Sequence, residues 1–211
     1  MSLIHWWPLT TDLKDKCGGS DMQCSVASFV TGKVGNCIQI AGGDVQVPNP
    51  FIGMENWSIA FWFRDDGSSD WKDFICWSDN KARLEIYKTG GQWIWYSNST
   101  TSGSLFPSGT TINSAIQTNV WYHIIIVKED TKAYLYMNGN VDSPTTSTSA
   151  VTFTSASTTL HFNSRADTSY GAMSLNDVRC YDHALSKKEV QELSRGLVCH
   201  YKLNANNNTN L

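Results

Sequence analysis

Short runs of alternating apolar and polar residues cover most of the chain, and this two-residue period is typical of half-buried β-strands. Gly, Asn, Asp and Pro separate the runs, as they do where strands turn. The pattern predicts strands over residues 5–9, 32–40 (after a turn), 45–47, 58–63, 72–78, 82–88, 93–97, 121–128, 132–137, 159–163 and 174–181.

These strands predict an all-β fold in which two antiparallel sheets pack as a jelly-roll β-sandwich. About a dozen strands are more than the seven of an immunoglobulin sandwich. Segment 58–63 is apolar on both faces, as expected for a central strand. Asn138-Gly139 is the strongest short hairpin signal in the chain, and residues 89–91 predict a second hairpin turn.

Residues 175–193 predict a closing strand, a turn and a capped helix. Ser186 and Glu189 have the spacing of a capping box, in which the Ser186 hydroxyl accepts from the Glu189 N–H and the carboxylate accepts from the Ser186 N–H. Gly196 stands where a helix commonly needs a residue with positive φ. We therefore expect one short helix at the end of the domain.

This C-terminal stretch resembles the end of laminin-G-like domains, which are β-sandwiches of the concanavalin A-like lectin/glucanase class. The resemblance rests on a polar strand opening, the pair Arg179 and Tyr181, a turn and a helix cap. Four further segments have sequences similar to their counterparts in laminin-G-like domains, namely 5–9, 57–62, 121–123 and 135–139. The resemblance stops at two Ser/Thr-rich stretches, 97–119 and 143–157. It implies the same two-sheet jelly roll.

The resemblance implies one laminin-G-like domain over residues 1–195. Residues 196–204 echo residues 2–10, with an apolar pair, a histidine, an aromatic residue and a leucine in the same order. Two interpretations of residues 196–211 stay open. They form either a closing strand of this domain or the start of a second tandem copy.

Charge and hydropathy exclude two classes of partner. With 211 residues and a net charge of −3, the chain fits one large β domain without a basic stripe, so no nucleic acid partner is expected. No apolar run approaches the roughly 20 residues of a membrane helix, so no membrane insertion is expected.

The six cysteines are predicted to be mostly reduced. The four with apolar neighbours in predicted strands, where a thiol packs as a small hydrophobe, are Cys37, Cys76, Cys180 and Cys199. Cys17 and Cys24 lie in a polar loop, placed for a bridge or for exposure. The N-terminus also lacks the features of a signal peptide. These observations favour folding in a cytoplasm.

No catalytic group is predicted. Related β-glucanases carry closely spaced carboxylates on one strand, but Glu85 has Tyr87 and Thr89 where a second acid would stand. His123 alternates with apolar residues on a strand and is expected to be structural. Neither His nor Cys spacing matches a zinc site.

The resemblance implies one structural Ca²⁺, held by the acidic residue before the strand that carries Arg179. That residue is Asp177, and backbone carbonyls near Gly42 and Pro8 are its candidate partners. Calcium accepts such sets of oxygen ligands. The alternative is that Asp177 hydrogen-bonds neighbouring backbone N–H groups.

Aromatic side chains that stand outside the core are the candidate ligand platform, because sugars stack on aromatic rings. The candidates are Trp71, Trp93, Trp95 and Tyr96. Trp71 lies in a polar loop, and Trp93 and Trp95 share one strand face. Trp57, Trp62 and Trp121 are expected in the core. The alternative for every candidate is packing beneath the Ser/Thr-rich segments.

The function hypothesis is a non-catalytic carbohydrate-binding or adhesion module of a phage (prophage) tail or another surface structural protein. Its partners would be a cell-surface glycan and neighbouring domains of a longer chain. The virion, assembled in a bacterial cytoplasm, is the expected location, with an extracellular or cell-surface location as the alternative. Two other hypotheses stay open: a structural spacer without glycan binding, and an accessory domain of a secreted glycosidase.

Overall fold

The computed structural model describes residues 2–24, 26–70, 72–78, 82–99, 110–112, 115–146, 153, 158–164 and 170–196. The repeat at 197–204 therefore lies outside the described residues, as do Cys199 and Trp71. The strands are β1 Leu3–Trp7, β2 Gln23–Cys24, β3 Ala27–Thr31, β4 Asn36–Ala41, β5 Val45–Pro48, β6 Trp57–Asp65, β7 Lys72–Ser78, β8 Ala82–Thr89, β9 Gln92–Ser99, β10 Thr110–Thr111, β11 Trp121–Glu129, β12 Lys132–Met137, β13 Asn140–Thr146, β14 Thr159–Phe162 and β15 Ala172–Tyr181, and the helix is α1 Lys187–Ser194.

The strands form two antiparallel sheets, which confirms the predicted β-sandwich. Sheet A runs β13-β12-β11-β6-β15-β4-β3, with β1 paired to β15 beside β4. Sheet B runs β10-β9-β8-β7-β14-β5-β2. Some neighbours are consecutive hairpin strands, but pairs such as β6–β15 and β7–β14 are distant in sequence, so the fold also depends on long-range pairing.

The core lies between the inner faces of the two sheets and is rich in aromatic rings. Phe51 stacks on Trp57 with ring centroids 4.4 Å apart, and Phe63 stacks on Phe74 at the same distance. Trp77, on the middle strand of sheet B, is fully buried against Trp57. Complete burial of one such side chain contributes about 1.5–3 kcal/mol to folding, so this cluster is a main source of stability.

Helix α1 packs on the outer face of sheet A. Ser186 and Glu189 form the predicted capping box, and Gly196 has the expected positive φ of 75°. Val190 is fully buried and packs with Ile125 of β11 in a cluster separate from the main core. The helix therefore closes one half of this outer face.

The hydrophobic pattern located eleven of the fifteen described strands and missed the other four, namely β2, β3, β10 and β13. β13 begins directly after the predicted turn at Asn138 and Gly139, whose φ angles of 51° and 83° are those of a tight hairpin. It was missed because its sequence contains Pro144 and several polar residues.

Five cysteines lie within the described residues, and all five are free thiols. Cys37, Cys76 and Cys180 are buried, as predicted, whereas Cys17 is exposed and Cys24 is half-buried. Within the described part of the chain, no helix is long and apolar enough to cross a membrane.

Candidate functional site

The outer face of sheet B carries a continuous row of polar positions. The pairing register joins, in order, Gln23, Gln46, His161, Cys76, Glu85 and Tyr96. The adjacent register row carries Val45, Phe162, Ile75 and Ile86, all fully buried in the core. Since successive residues of a strand point to opposite faces, the polar row belongs to the outer face.

Asp44 lies directly before β5 and contacts His161 of β14 and Ser164. Its Oδ2 atom lies 3.0 Å from His161 Nδ1 and accepts a hydrogen bond from the Ser164 hydroxyl at 3.3 Å. Asn163, with a positive φ of 66°, donates through its amide to the carbonyls of Gly43 and Gly171. These contacts fix the ends of β5 and β14 relative to each other.

Access to the row differs between its middle and its end. His161 is 4% exposed and Cys76 is fully buried, although both belong to an outer face. Gln46 is half-buried and Gln23 is exposed. The centre of the row is therefore closed to solvent, and the row is accessible at β5 and β2, where it carries the amide groups of Gln46 and Gln23.

The geometry removes Trp93 from the predicted aromatic platform. Trp93 is 4% exposed and packs edge-on against Phe63 and Phe74, so its ring belongs to the core. In the register, Trp95 is paired with Ile86, whereas Tyr96 is paired with Glu85 on the polar row. The side chains of Trp95 and Tyr96 lie outside the described part of the structure, as does Trp71.

The outer face of sheet A offers less to a ligand, because its cations are already engaged. Arg64 lies 5.2 Å from the ring of Trp121 and donates to Asp66 at 2.5 Å. Trp121 is half-buried here and does not lie in the core, contrary to the prediction. Lys33 lies 5.0 Å from the Trp62 ring. Together with α1, these internal contacts leave sheet B as the better candidate face.

Asp177 and Gly42 do not share a site. The Gly42 N–H donates to the carbonyl of Gly171, and Gly171 lies six residues before Asp177 in the sequence. At about 3.3 Å per residue, this separates Asp177 from Gly42 by about 20 Å. The two predicted ligands therefore cannot bind one ion.

The surroundings of Asp177 also do not fit calcium. Its Oδ1 atom accepts from Trp6 Nε1 at 2.7 Å and from Arg179 Nε at 3.0 Å. The nearby carbonyl of Pro8 accepts from the Asn176 amide and from the Asp177 N–H. A guanidinium stands where a Ca²⁺ ion would need a negative set of oxygens. Among the described residues, no group of three or more His, Cys, Asp or Glu side chains is placed to hold a metal.

His123 is a structural residue, as its strand context predicted. Its Nδ1 lies 2.9 Å from the Ser194 hydroxyl, and its ring packs 4.8 Å from Trp62. Burial lowers the pKa of His123 to about 3, and the positive charge of Arg179 acts in the same direction. The side chain is neutral at physiological pH.

Comparison with known proteins agrees with this architecture. A family model described as the concanavalin A-like lectin/glucanases superfamily matches residues 41–191. The chain belongs to this superfamily. No functionally curated protein matches the sequence.

Three solved structures have a similar fold. Domain 4 of AbnA, a GH43 extracellular arabinanase from Geobacillus stearothermophilus solved with arabinotriose, has a TM-score of 0.77 and 15% identity, covering 92% of this chain and 98% of that one. The binding domain of Paraclostridial Mosquitocidal Protein 1 has a TM-score of 0.75 and 17% identity over 92% of this chain and 52% of that one.

The botulinum neurotoxin serotype G binding domain has a TM-score of 0.70 and 17% identity, covering 93% of this chain and 51% of that one. Our chain thus spans about half the length of the two toxin domains. At these identities the likeness concerns the lectin/glucanase fold alone.

Within that fold, sequence reasoning missed Asp44 and His161. The two residues are 117 positions apart, and they meet only because β5 pairs with β14. The only local signal was a polar residue directly before one short apolar strand, Asp44, and one within another, His161.

Proposed function

We propose that this chain is a non-catalytic glycan-binding module that holds its ligand on the outer face of sheet B. The observation that carries the proposal is the polar row that crosses six strands of this sheet from Gln23 to Tyr96. Amide, imidazole, carboxylate and phenol groups are the side-chain types that hydrogen-bond sugar hydroxyls.

The exposure of the row supports the same proposal. Gln46 and Gln23 are accessible to a ligand, whereas His161 and Cys76 behind them are buried. Ligand sites typically carry a few polar groups that the scaffold holds in place. The Asp44–His161 contact supplies such fixation, because it holds two strands of the face in one arrangement.

The structural neighbours support a binding role. AbnA domain 4 was solved with arabinotriose, and the neighbouring toxin domains are named as binding domains. A binding role also agrees with the chemistry of the row. Glu85 is paired with Cys76 and Tyr96, and neither is a second acid of the kind that glycoside hydrolysis requires.

For the biological setting, we favour a phage tail or another surface appendage assembled in a bacterial cytoplasm. The free thiols support folding in a reducing compartment. AbnA domain 4 belongs to an arabinanase, and this supports a second candidate, an accessory domain of a glycosidase. The neighbouring genes distinguish the two: tail genes favour the first setting and a fused or adjacent hydrolase the second.

The test is a glycan array followed by titration calorimetry on the glycan that binds. Gln46→Ala removes a half-buried amide from the polar row, and Gln39→Ala is its matched control on the outer face of sheet A. We expect Gln46→Ala to weaken binding about tenfold, the effect of one hydrogen bond of about 1.4 kcal/mol. Gln39→Ala should bind as the wild type does.

Trp71→Ala tests the loop tryptophan that the sequence nominated, and EDTA in the array buffer tests for a metal requirement. No binding to any glycan would favour a structural spacer. If both glutamine variants lose the same affinity for the glycan, the ligand does not bind on the outer face of sheet B.

A further inference from the structure

The free edges of the two sheets are protected to very different degrees. A strand edge exposes unpaired N–H and C=O groups, and proteins usually protect it with short length, charge, proline or a bulge. Sheet B ends in β2 and β10, which have two residues each. Such short edges offer little to pair with.

Sheet A ends in β13 on one side, and this edge carries several protecting features. Pro144 lies within β13 and has no N–H to donate. Asp142 adds a charge, and the register with β12 shifts between Leu135 and Tyr136. β1 also borders sheet A, but the loop after it covers its edge, because Trp6 donates to Asp15 and accepts from the Lys16 N–H.

The opposite end of sheet A is β3, which has none of these features. Its five residues, Ala-Ser-Phe-Val-Thr, include no charge and no proline, and they pair with β4 in an unbroken register. Phe29, at the centre of the strand, is 43% exposed, and Val26, the residue before the strand begins, is 44% exposed. β3 is therefore an unprotected edge with apolar side chains beside it.

We propose that β3 pairs with β3 of a second copy of this chain, antiparallel and across a two-fold axis. A pairing centred on the strand places Phe29 on the axis and Ala27 opposite Thr31 of the partner subunit. Phe29 is paired with Ile38, which is fully buried, so its ring lies at the margin of the core. The second Phe29 would extend this core and bury both exposed rings.

A second copy fits this edge better than an unrelated strand does. The strand is uncharged, so two copies meet without like-charge repulsion, and an isologous contact needs only one self-complementary patch. Five paired residues bury well under the roughly 800 Å² per partner of a standard interface. The dimer is therefore weak and concentration-dependent. It would place two binding faces in one particle, which raises avidity for a repetitive surface.

Sedimentation velocity over protein concentrations up to about 1 mM measures this association, because an interface of this size gives affinities at the weak end of the scale. Phe29→Lys puts two like charges on the axis. Val141→Lys is the matched control, since Val141 is 45% exposed on the β13 edge. Ser28→Lys is a second variant on β3 that keeps the phenyl ring. Near-UV circular dichroism checks that each variant is folded.

We expect the wild type and Val141→Lys to dimerise alike and both β3 variants to lose at least about tenfold in association constant. A wild type that stays monomeric over the whole range overturns the proposal. So does dimerisation that survives both β3 substitutions or is lost equally in Val141→Lys. The outcome is independent of glycan binding.

Discussion

The Nδ1 atom of His123 lies 2.9 Å from the Ser194 hydroxyl, and this contact joins the middle of sheet A to the last turn of α1. The same hydroxyl donates to the Val190 carbonyl one turn earlier. The imidazole is 3% exposed, so burial holds it in the neutral form. One histidine thereby links the attachment of the helix to pH.

The first prediction concerns acid stability. The pKa of His123 is about 3 in the folded chain, against 6.5 for an ordinary imidazole. Between these values the unfolded chain binds more protons, so the free energy of unfolding falls as pH drops below about 6.5, with a limiting slope of about 1.4 kcal/mol per pH unit. In urea titrations from pH 7 to 5, His123→Gln should reduce this slope. Ser194→Ala should keep it, because the histidine remains. Equal slopes in the wild type and His123→Gln would contradict the assignment.

The helix cap gives a second prediction. Ser186→Ala removes the hydroxyl that accepts from the Glu189 N–H and should lower the free energy of unfolding by about 1 kcal/mol. Lys188→Ala, at an exposed position of the same first turn, is the control and should change stability little. If the two variants lose the same stability in chemical denaturation, the capping box does not hold this helix.

Substitutions of Trp93 distinguish a role in the core from a role in ligand binding. Trp93→Ala should cost about 3–5 kcal/mol, because it empties a packed site next to Phe63 and Phe74. Trp93→Phe should cost less, since the indole N–H of Trp93 has no hydrogen-bond partner among the described residues. On the proposed function, the phenylalanine variant still binds glycan. If Trp93→Phe folds but no longer binds glycan, Trp93 belongs to the ligand site.

Asp177 tests the calcium expectation. Asp177→Ala removes the acceptor shared by Trp6 and Arg179 and should lower the free energy of unfolding by about 1.5–3 kcal/mol. The loss should be equal in Ca²⁺ and in EDTA, and the melting temperature of the wild type should not respond to Ca²⁺. A metal bound only to the folded state would raise that temperature, and Asp177→Ala would abolish the increase.

The repeat at residues 196–204 predicts a strand equivalent to β1. Replacing residues 3–9 by the sequence of residues 197–203 puts Tyr201 in the place of Trp7 and Leu203 in the place of Leu9, both of which are fully buried. The chimera should fold with reduced thermal stability, whereas a scrambled graft should not fold. Near-UV circular dichroism measures whether each graft folds. If the two grafts fold equally well, or both fail to fold, the repeat is a chance similarity.

The missed strand β3 shows where sequence patterns lose power. Its only two large apolar side chains, Phe29 and Val30, are adjacent, so the run is too short and too irregular for a two-residue period to mark it as a strand. What makes it a strand is pairing with β4, whose apolar pattern was clear. Edge strands depend on a neighbour more than on their own pattern.

The aromatic site candidates show the complementary limit. The two-residue period predicts that Trp93 and Trp95 share one face of a strand, opposite Ile94 and Tyr96, but it does not say which face meets the core. The register decides this, because Ile86 and Phe162 are fully buried in the row that contains Trp95.

Local sequence patterns were enough to predict the fold class, most of the strands, the Asn138-Gly139 hairpin and the helix cap, since each depends on residues a few positions apart. Three relations became visible in the folded chain alone: Asp44 contacts His161, Asp177 accepts a hydrogen bond from Arg179, and sheet A ends in an unprotected β3. These relations join residues brought together by strand pairing or by a bend in one strand. The register of that pairing is a property of the whole sandwich, because every strand must turn its apolar side to the same core.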